Sequence, residues 1–210
     1  MALEIKGIPY QYIECSLVDK PKALLEISPA GLVPAIRHGP TWSLHESGII
    51  LEYLEELSPG LLPPPDEKQA RASARLWASH AGKIPPIAYH LGTAADKEAR
   101  LRAVGEAVIE LQRLIKAADP AGPFFTGEHF GWVDIHVAPW IVRLSRTLVP
   151  EPGTRWEKWV NAVKAHPAIK ATTSDDQAFV DSFRQFEEYE EYRNDPSQVA
   201  EAIKKAGGIP

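Results

Sequence analysis

The 210-residue chain has a single cysteine, Cys15, and no apolar run long enough to cross a bilayer. One cysteine excludes an intrachain disulfide framework and fits a reducing compartment. The N-terminus also has no apolar signal core, so we expect a cytoplasmic protein with no membrane partner. Basic clusters are scarce, since the net charge is -5 and the longest basic block is Lys204-Lys205. A nucleic-acid partner is therefore not expected.

Metal-ligand patterns are missing as well. The seven histidines are scattered, and none is paired with carboxylates at the spacing of a metal site. His129 and His136 are separated by Gly131, which interrupts the helical pattern between them. The sequence therefore predicts no bound metal.

The most informative stretch, residues 31–57, reads as strand, turn, strand and helix. Apolar residues flank Pro34, which has no amide hydrogen for a sheet ladder and so marks an edge, a bulge or a turn, and permits a cis peptide bond. After a turn at residues 38–40, Trp42 and Leu44 alternate with polar residues as in a half-buried strand. Apolar residues at helical spacing follow Glu46-Ser47. Free helix-start amides should therefore lie beside the proline turn, where they could bind a carboxylate.

With Leu32-Val33-Pro34-Ala35 followed by Glu46-Ser47, this stretch resembles the glutathione-binding half of a cytosolic glutathione transferase. The resemblance implies that the backbone of Val33, before a cis Pro34, binds the cysteinyl unit of glutathione. It also implies that Glu46 and Ser47 hold the γ-glutamyl end. Glutathione is then the co-substrate.

The segment Asp19-Lys20-Pro21 is similar to the omega-like, fungal-type branch of that family. In that branch the lysine faces the glutathione carboxylate, so Lys20 is a further candidate binding residue. The same branch uses a catalytic cysteine, which leaves two interpretations of Cys15: a displaced redox thiol, or an inert buried side chain. The position of Cys15 at the end of a predicted strand does not match the family position and favours the second interpretation.

The proline-rich segment Ser58–Asp66 divides the chain, which predicts a domain at 1–58, a linker at 59–66 and a domain at 67–210. The second part is predicted to be all-helical, with helices at residues 67–82, 96–118, 131–144, 155–165 and 178–192 and a frayed end at 204–210. Its order of motifs also resembles the family. The expected fold class is α+β with two domains, a thioredoxin-like α/β domain truncated at its start and an all-α glutathione-transferase C-terminal domain. Asp134 is expected to act as a structural helix cap, although Gly131 stands where the family usually has Ser or Thr.

The start of the chain departs from the family. Residues 2–6 read as the tail of a helix ended by Gly7, Tyr10 to Ile13 as a strand and Lys22–Glu26 as a short helix. The resemblance implies a first strand and a catalytic Ser, Cys or Tyr upstream of Met1, so no catalytic residue is assigned. Either the sequence is incomplete at its start or the chain is a degenerate family member. Conjugation and thiol transfer both remain open.

The resemblance also implies a second substrate, a small hydrophobic electrophile, and a homodimer engaged in detoxification or secondary metabolism. His80, Tyr89 and Trp140 are candidates to line an apolar pocket for that substrate. Two hypotheses follow. The protein is a glutathione transferase-like enzyme, or it is a non-catalytic ligand-binding or dimeric interaction module with the same fold.

Overall fold

The computed structural model describes residues 1–16, 19–93, 96–145 and 148–173. The chain divides into two compact units, Met1–Leu62 and Pro63–Pro210. Within the described ranges, no helix is long and apolar enough to cross a membrane.

The first unit combines short helices with a two-stranded antiparallel sheet. Its described elements are α1 (Ala2–Ile5), α2 (Lys22–Ile27), β1 (Ala35–His38), β2 (Trp42–His45) and α3 (Ser47–Leu57). The strand, turn, strand and helix predicted over residues 31–57 are confirmed, as is the short helix after residue 21. Ala35 pairs with His45 at one end of the ladder and His38 pairs with Trp42 at the turn end. Apolar side chains of α2 and α3 form the core of this unit, namely Leu24, Ile50 and Leu54.

The strand predicted at Tyr10 to Ile13 is wrong. Residues 8–16 form no regular element, and the side chains of Tyr12 and Ile13 are 76% and 73% exposed. A strand exists only where a neighbouring strand supplies its hydrogen bonds, and the described sheet contains β1 and β2 alone. Leu32 and Val33 likewise lie outside β1, which begins after Pro34 because proline cannot donate to the ladder.

A buried ion pair between Lys6 and Glu55 fixes the end of the first unit. The Lys6 Nζ lies 2.6 Å from Glu55 Oε2, and both side chains are only 3% exposed. Lys6 also donates to the Ser58 carbonyl, and the Glu55 carboxylate accepts hydrogen bonds from the backbone amides of Gly60, Leu61 and Leu62. Because these bonds satisfy charges that burial would otherwise penalise, the pair joins the end of α1 and the end of α3 to the segment that leaves the unit.

Acidification should weaken the stabilisation that the Lys6–Glu55 ion pair provides. Burial raises the pKa of Glu55, but the hydrogen bonds from Lys6 and the three amides outweigh it, so the pKa lies below the ordinary 4.5. A lowered folded-state pKa gives stability that is present above the unfolded value and lost as the pH falls through the folded value. We therefore expect the free-energy difference between wild type and Glu55→Gln, measured by urea unfolding, to shrink as the pH falls below about 4.5. A difference independent of pH from 7 to 3 would contradict this account.

Helices make up the described part of the second unit. They are α4 (Lys68–Ala81), α5 (Ile84–Thr93), α6 (Lys97–Ala117), α7 (Trp132–Leu144), α8 (Arg155–Ala165) and α9 (Pro167–Thr172). The predicted helices at 67–82, 96–118, 131–144 and 155–165 are confirmed. Asp96 and Thr154 cap α6 and α8 by accepting the amides of Ala99 and Glu157. An α/β unit followed by helices is the fold class predicted from the sequence.

Helix α5 was not predicted, because Pro85-Pro86 reads as a helix terminator. Both prolines lie in the first turn of α5, where the amide hydrogens that they lack would have no partner within the helix. Because the φ of proline is fixed near the helical value, the two prolines favour the start of this helix.

Asp134 holds the middle of the second unit together. Its side chain is fully buried, with Oδ1 accepting from the Phe125 amide at 3.0 Å and Trp159 Nε1 at 2.6 Å, and Oδ2 accepting from the Gly131 amide at 2.9 Å. Burial raises the pKa of this carboxyl despite these bonds. The bond to Gly131 is the reciprocal half of a capping box, so the predicted cap geometry at α7 is present.

Arg155 reinforces the same region from α8. Its guanidinium donates to three carbonyl oxygens of the loop before α7, those of Asp119, Pro123 and Phe124. Together with Asp134, it fixes the loop, the start of α7 and α8. The helix predicted at 178–192 and the end at 204–210 lie outside the described residues.

Candidate functional site

The β1–β2 hairpin brings the two predicted glutathione motifs to one place. Ala35 and His45 form the last pair of the ladder, so Pro34 enters β1 at the same end at which Glu46 leaves β2. Paired residues of antiparallel strands lie roughly 4.5 to 5.5 Å apart between Cα atoms. Val33-Pro34 and Glu46-Ser47 are therefore adjacent at one end of the hairpin, although they are separated by a dozen positions in the sequence.

The backbone before β1 is open to a ligand. The Val33–Pro34 peptide bond is cis, as the resemblance implies. Val33 is 48% exposed, and the ladder begins only at Ala35. The amide and carbonyl of Val33 are thus available for hydrogen bonds of the kind made by an added strand.

Glu46 has an unusual backbone at the entrance to α3. Its φ is 74° and its ψ is 109°, and within the described residues it is the only non-glycine residue with a positive φ. Such a conformation costs on the order of 1–3 kcal/mol for a residue with a Cβ, and such residues cluster at ligand-binding sites. The Glu46 side chain is exposed and makes no capping hydrogen bond to α3. The fold therefore holds this carboxylate where it can meet a ligand.

The N-terminus of α3 adds hydrogen-bond donors next to that carboxylate. The first intrahelical bond runs from the Ile50 amide to the Glu46 carbonyl, so the amides of Ser47, Gly48 and Ile49 precede the helical ladder. Ser47 itself is exposed. Helix-start amides and the positive end of the dipole attract a carboxylate, while the Glu46 carboxylate attracts an ammonium group. The pair is therefore complementary to the α-amino-acid end of a small peptide.

Lys20 lies over the loop that leads to this end of the hairpin. Its Nζ donates to the Ala30 carbonyl at 3.2 Å, and the side chain is exposed. Gly31 makes room for it, because a Cβ at Gly31 would lie 2.5 Å from Lys20 Cδ. Gly31 also has a φ of 62°, which favours glycine. The Lys20 ammonium thus lies beside the backbone of Ala30 and Gly31, close to Val33 along the chain.

The candidate second-substrate residues have different neighbours in the second unit. His80 in α4 packs against the Trp77 ring, Tyr89 in α5 lies beside His90, and Trp140 in α7 lies under the Arg143 guanidinium. His80 and Tyr89 are exposed and Trp140 is half-buried. A pocket formed by these three side chains stays a prediction.

Neither Cys15 nor a metal cluster of described residues adds a chemical group to this site. Cys15 is a free, half-buried thiol in the irregular segment 8–16. Among the described residues, no three His, Cys, Asp or Glu side chains converge as metal ligands would.

Sequence reasoning missed Ser28, which is fully buried directly before the loop that carries Val33. Its hydroxyl accepts the Leu32 amide at 3.0 Å. The available signal was a serine at the end of a short helix just before Pro29, a position at which hydroxyl side chains bond to the backbone of the next turn.

Comparison with known proteins finds similarity to glutathione S-transferases. Residues 1–65 match the family described as glutathione S-transferase, N-terminal domain. The chain is 30% identical over 205 residues to a probable glutathione S-transferase of rice, covering 88% of this chain and 86% of that protein. It is 26% identical to glutathione S-transferase omega-1 of the pig, covering 81% of this chain and 73% of that protein.

Solved structures agree in fold. Glutathione transferase Omega 3C from Trametes versicolor superposes with a TM-score of 0.74 at 33% identity, covering 83% of this chain and 82% of that one. A rice enzyme crystallised in complex with glutathione superposes with a TM-score of 0.75 at 24% identity, covering 89% and 90% of the two chains, and supports the fold alone.

Proposed function

The chain belongs to the glutathione S-transferase superfamily, with omega-like relatives, and we propose that it binds glutathione at the end of the β1–β2 hairpin and transfers it to or from a small electrophile. The observation that carries the proposal is the positive φ of Glu46, an exposed residue that lies between the end of β2 and the first turn of α3, at the hairpin end where the cis Val33–Pro34 peptide enters β1.

The charges at this place complement the charges of glutathione. The γ-glutamyl end carries an α-ammonium and an α-carboxylate, which match the Glu46 carboxylate and the amides of Ser47 to Ile49. In this proposal the backbone of Val33, next to the cis peptide bond, binds the cysteinyl unit, and the Lys20 ammonium binds the second carboxylate. Support for these roles comes from the register of the hairpin and from the shared motifs.

The named residues bind and orient the tripeptide. A free thiol has a pKa of about 8.5, so transfer to an electrophile requires donors that stabilise the thiolate, and we assign none of the named residues to that step. In conjugation the thiolate sulfur forms a bond to carbon, and the leaving group or the carbanion formed takes the electron pair. We extend the proposal to an apolar electrophile, contacted by His80, Tyr89 and Trp140, and to a cytosolic homodimer. A dimer predicts a light-scattering mass of twice that of the 210-residue chain.

Titration calorimetry with two ligands tests the binding site. Wild type should bind glutathione at least about tenfold more tightly than cysteinylglycine, which lacks the γ-glutamyl end, because one charged hydrogen bond is worth about 1.5–3 kcal/mol. Glu46→Ala should weaken glutathione binding by about ten- to a hundredfold and leave cysteinylglycine binding unchanged.

Glu56→Ala is the matched control, since Glu56 is an exposed glutamate near the other end of α3. It should change neither affinity. Equal binding of glutathione by wild type and Glu46→Ala would overturn the proposal. Binding without turnover of any electrophile would favour the non-catalytic alternative.

A further inference from the structure

We infer that Ser28 is a positioning residue of the glutathione site, acting through the backbone of Leu32 and Val33. This inference rests on the proposed function and assigns a new residue to it. Ser28 follows α2, has no exposed surface and lies five positions before Val33.

Ser28 accepts hydrogen bonds from the backbone amides of the two residues that precede Val33. The Gly31 amide donates to the Ser28 carbonyl at 2.7 Å, and the Leu32 amide donates to the Ser28 hydroxyl at 3.0 Å. The Ser28 amide in turn donates to the Leu24 carbonyl at 2.8 Å, so one buried residue joins the loop to the end of α2. Because α2 packs on both strands of the hairpin, the loop is fixed relative to β1.

The loop itself gains little from hydrophobic burial. Leu32 and Val33 are 52% and 48% exposed, so their side chains do not fix its path. Gly31 contributes a φ of 62° and no side chain, which leaves the chain free to move if the hydrogen bonds are lost. The Ser28 hydroxyl therefore sets the direction of the Val33 amide and carbonyl, the groups proposed to bind the cysteinyl unit.

Three substitutions at Ser28 separate the effect of the hydroxyl hydrogen bond from the effect of side-chain volume. Ser28→Ala removes the acceptor, Ser28→Cys keeps the volume but offers a weak acceptor, and Ser28→Thr keeps the hydroxyl. The backbone of Ser28 is extended, with φ -138° and ψ 92°, which suits threonine. We expect the alanine and cysteine variants to bind glutathione about fivefold more weakly, and the threonine variant to stay within about twofold of wild type.

Ser145→Ala is the matched control. Ser145 is a buried serine of the second unit, 5% exposed, whose hydroxyl donates to the Val142 carbonyl at 3.2 Å. It should leave glutathione affinity unchanged. If it weakens binding as much as Ser28→Ala, a general loss of stability explains both and the inference fails.

The outcomes also separate this inference from the proposed function. Unchanged affinity in Ser28→Ala and Ser28→Cys, with weaker binding in Glu46→Ala, would overturn the role of Ser28 alone. Unchanged affinity in all three would overturn the site. Should Ser28→Ala not fold, the comparison of Ser28→Cys with Ser28→Thr decides, since equal affinities would contradict the role of the hydroxyl.

Discussion

Replacing Asp134 with alanine is expected to lower the free energy of unfolding by about 4 kcal/mol, because three buried donors lose their acceptor at once. The donors are the amides of Phe125 and Gly131 and the Trp159 indole, which lie in a loop, at the start of α7 and in α8. Asp134→Asn should cost roughly half as much, since its amide oxygen can still accept from two of them. Urea unfolding followed by tryptophan fluorescence reports on this unit, which holds five of the six tryptophans.

Asp96→Ala is the control for this prediction. Asp96 also caps a helix, accepting the Ala99 amide at 2.8 Å, but it is exposed, so its loss should cost about 1 kcal/mol. If Asp134→Ala costs no more than Asp96→Ala, then the Asp134 carboxylate does not organise the second unit.

Replacing Glu46 with glycine is expected to move stability and affinity in opposite directions. Glycine adopts a φ of 74° without strain, which stabilises the folded state. Glycine also increases the conformational entropy of the unfolded chain, which offsets part of this gain. We expect a net rise in the free energy of unfolding of about 1 kcal/mol. The same change removes the carboxylate proposed to bind the ammonium of glutathione. Affinity should therefore fall by about ten- to a hundredfold, the value of a charged hydrogen bond.

Two further variants make this result specific. Glu46→Ala loses the carboxylate and keeps the Cβ, so it should lose affinity without gaining stability. Glu56→Gly places glycine inside α3 and should lower stability by about 1 kcal/mol while leaving glutathione binding unchanged. Suppose that Glu46→Gly is less stable than wild type and binds glutathione equally well. The backbone of Glu46 is then not held in its conformation for a ligand.

Local patterns predicted most of the described elements. The helix at 96–118 has a continuous apolar face and an aspartate cap, and the hairpin has a turn cluster between alternating residues, so neighbours along the chain determine both. Glu46-Ser47 and Val33-Pro34 were predicted as one site from their motifs, and the hairpin register explains why they are adjacent.

Features that the local residue pattern does not encode were harder to predict. Tyr12 and Ile13 have strand-forming side chains, but a strand also needs a neighbour that the described sheet does not supply. The role of Ser28 depends on a hydrogen bond to a residue four positions away, and serine is too common in loops to signal it. The positive φ of Glu46 is equally invisible in sequence, because glutamate ordinarily avoids it.

We propose above all that the end of the β1–β2 hairpin binds glutathione. Titrating glutathione into ¹⁵N-labelled protein tests this claim directly, since each backbone amide is observed separately. We predict that the largest chemical-shift changes occur at the amides of Val33, Ser47, Gly48 and Ile49, and that Glu46→Ala suppresses them. Shift changes confined to the second unit, or unchanged in Glu46→Ala, would contradict it.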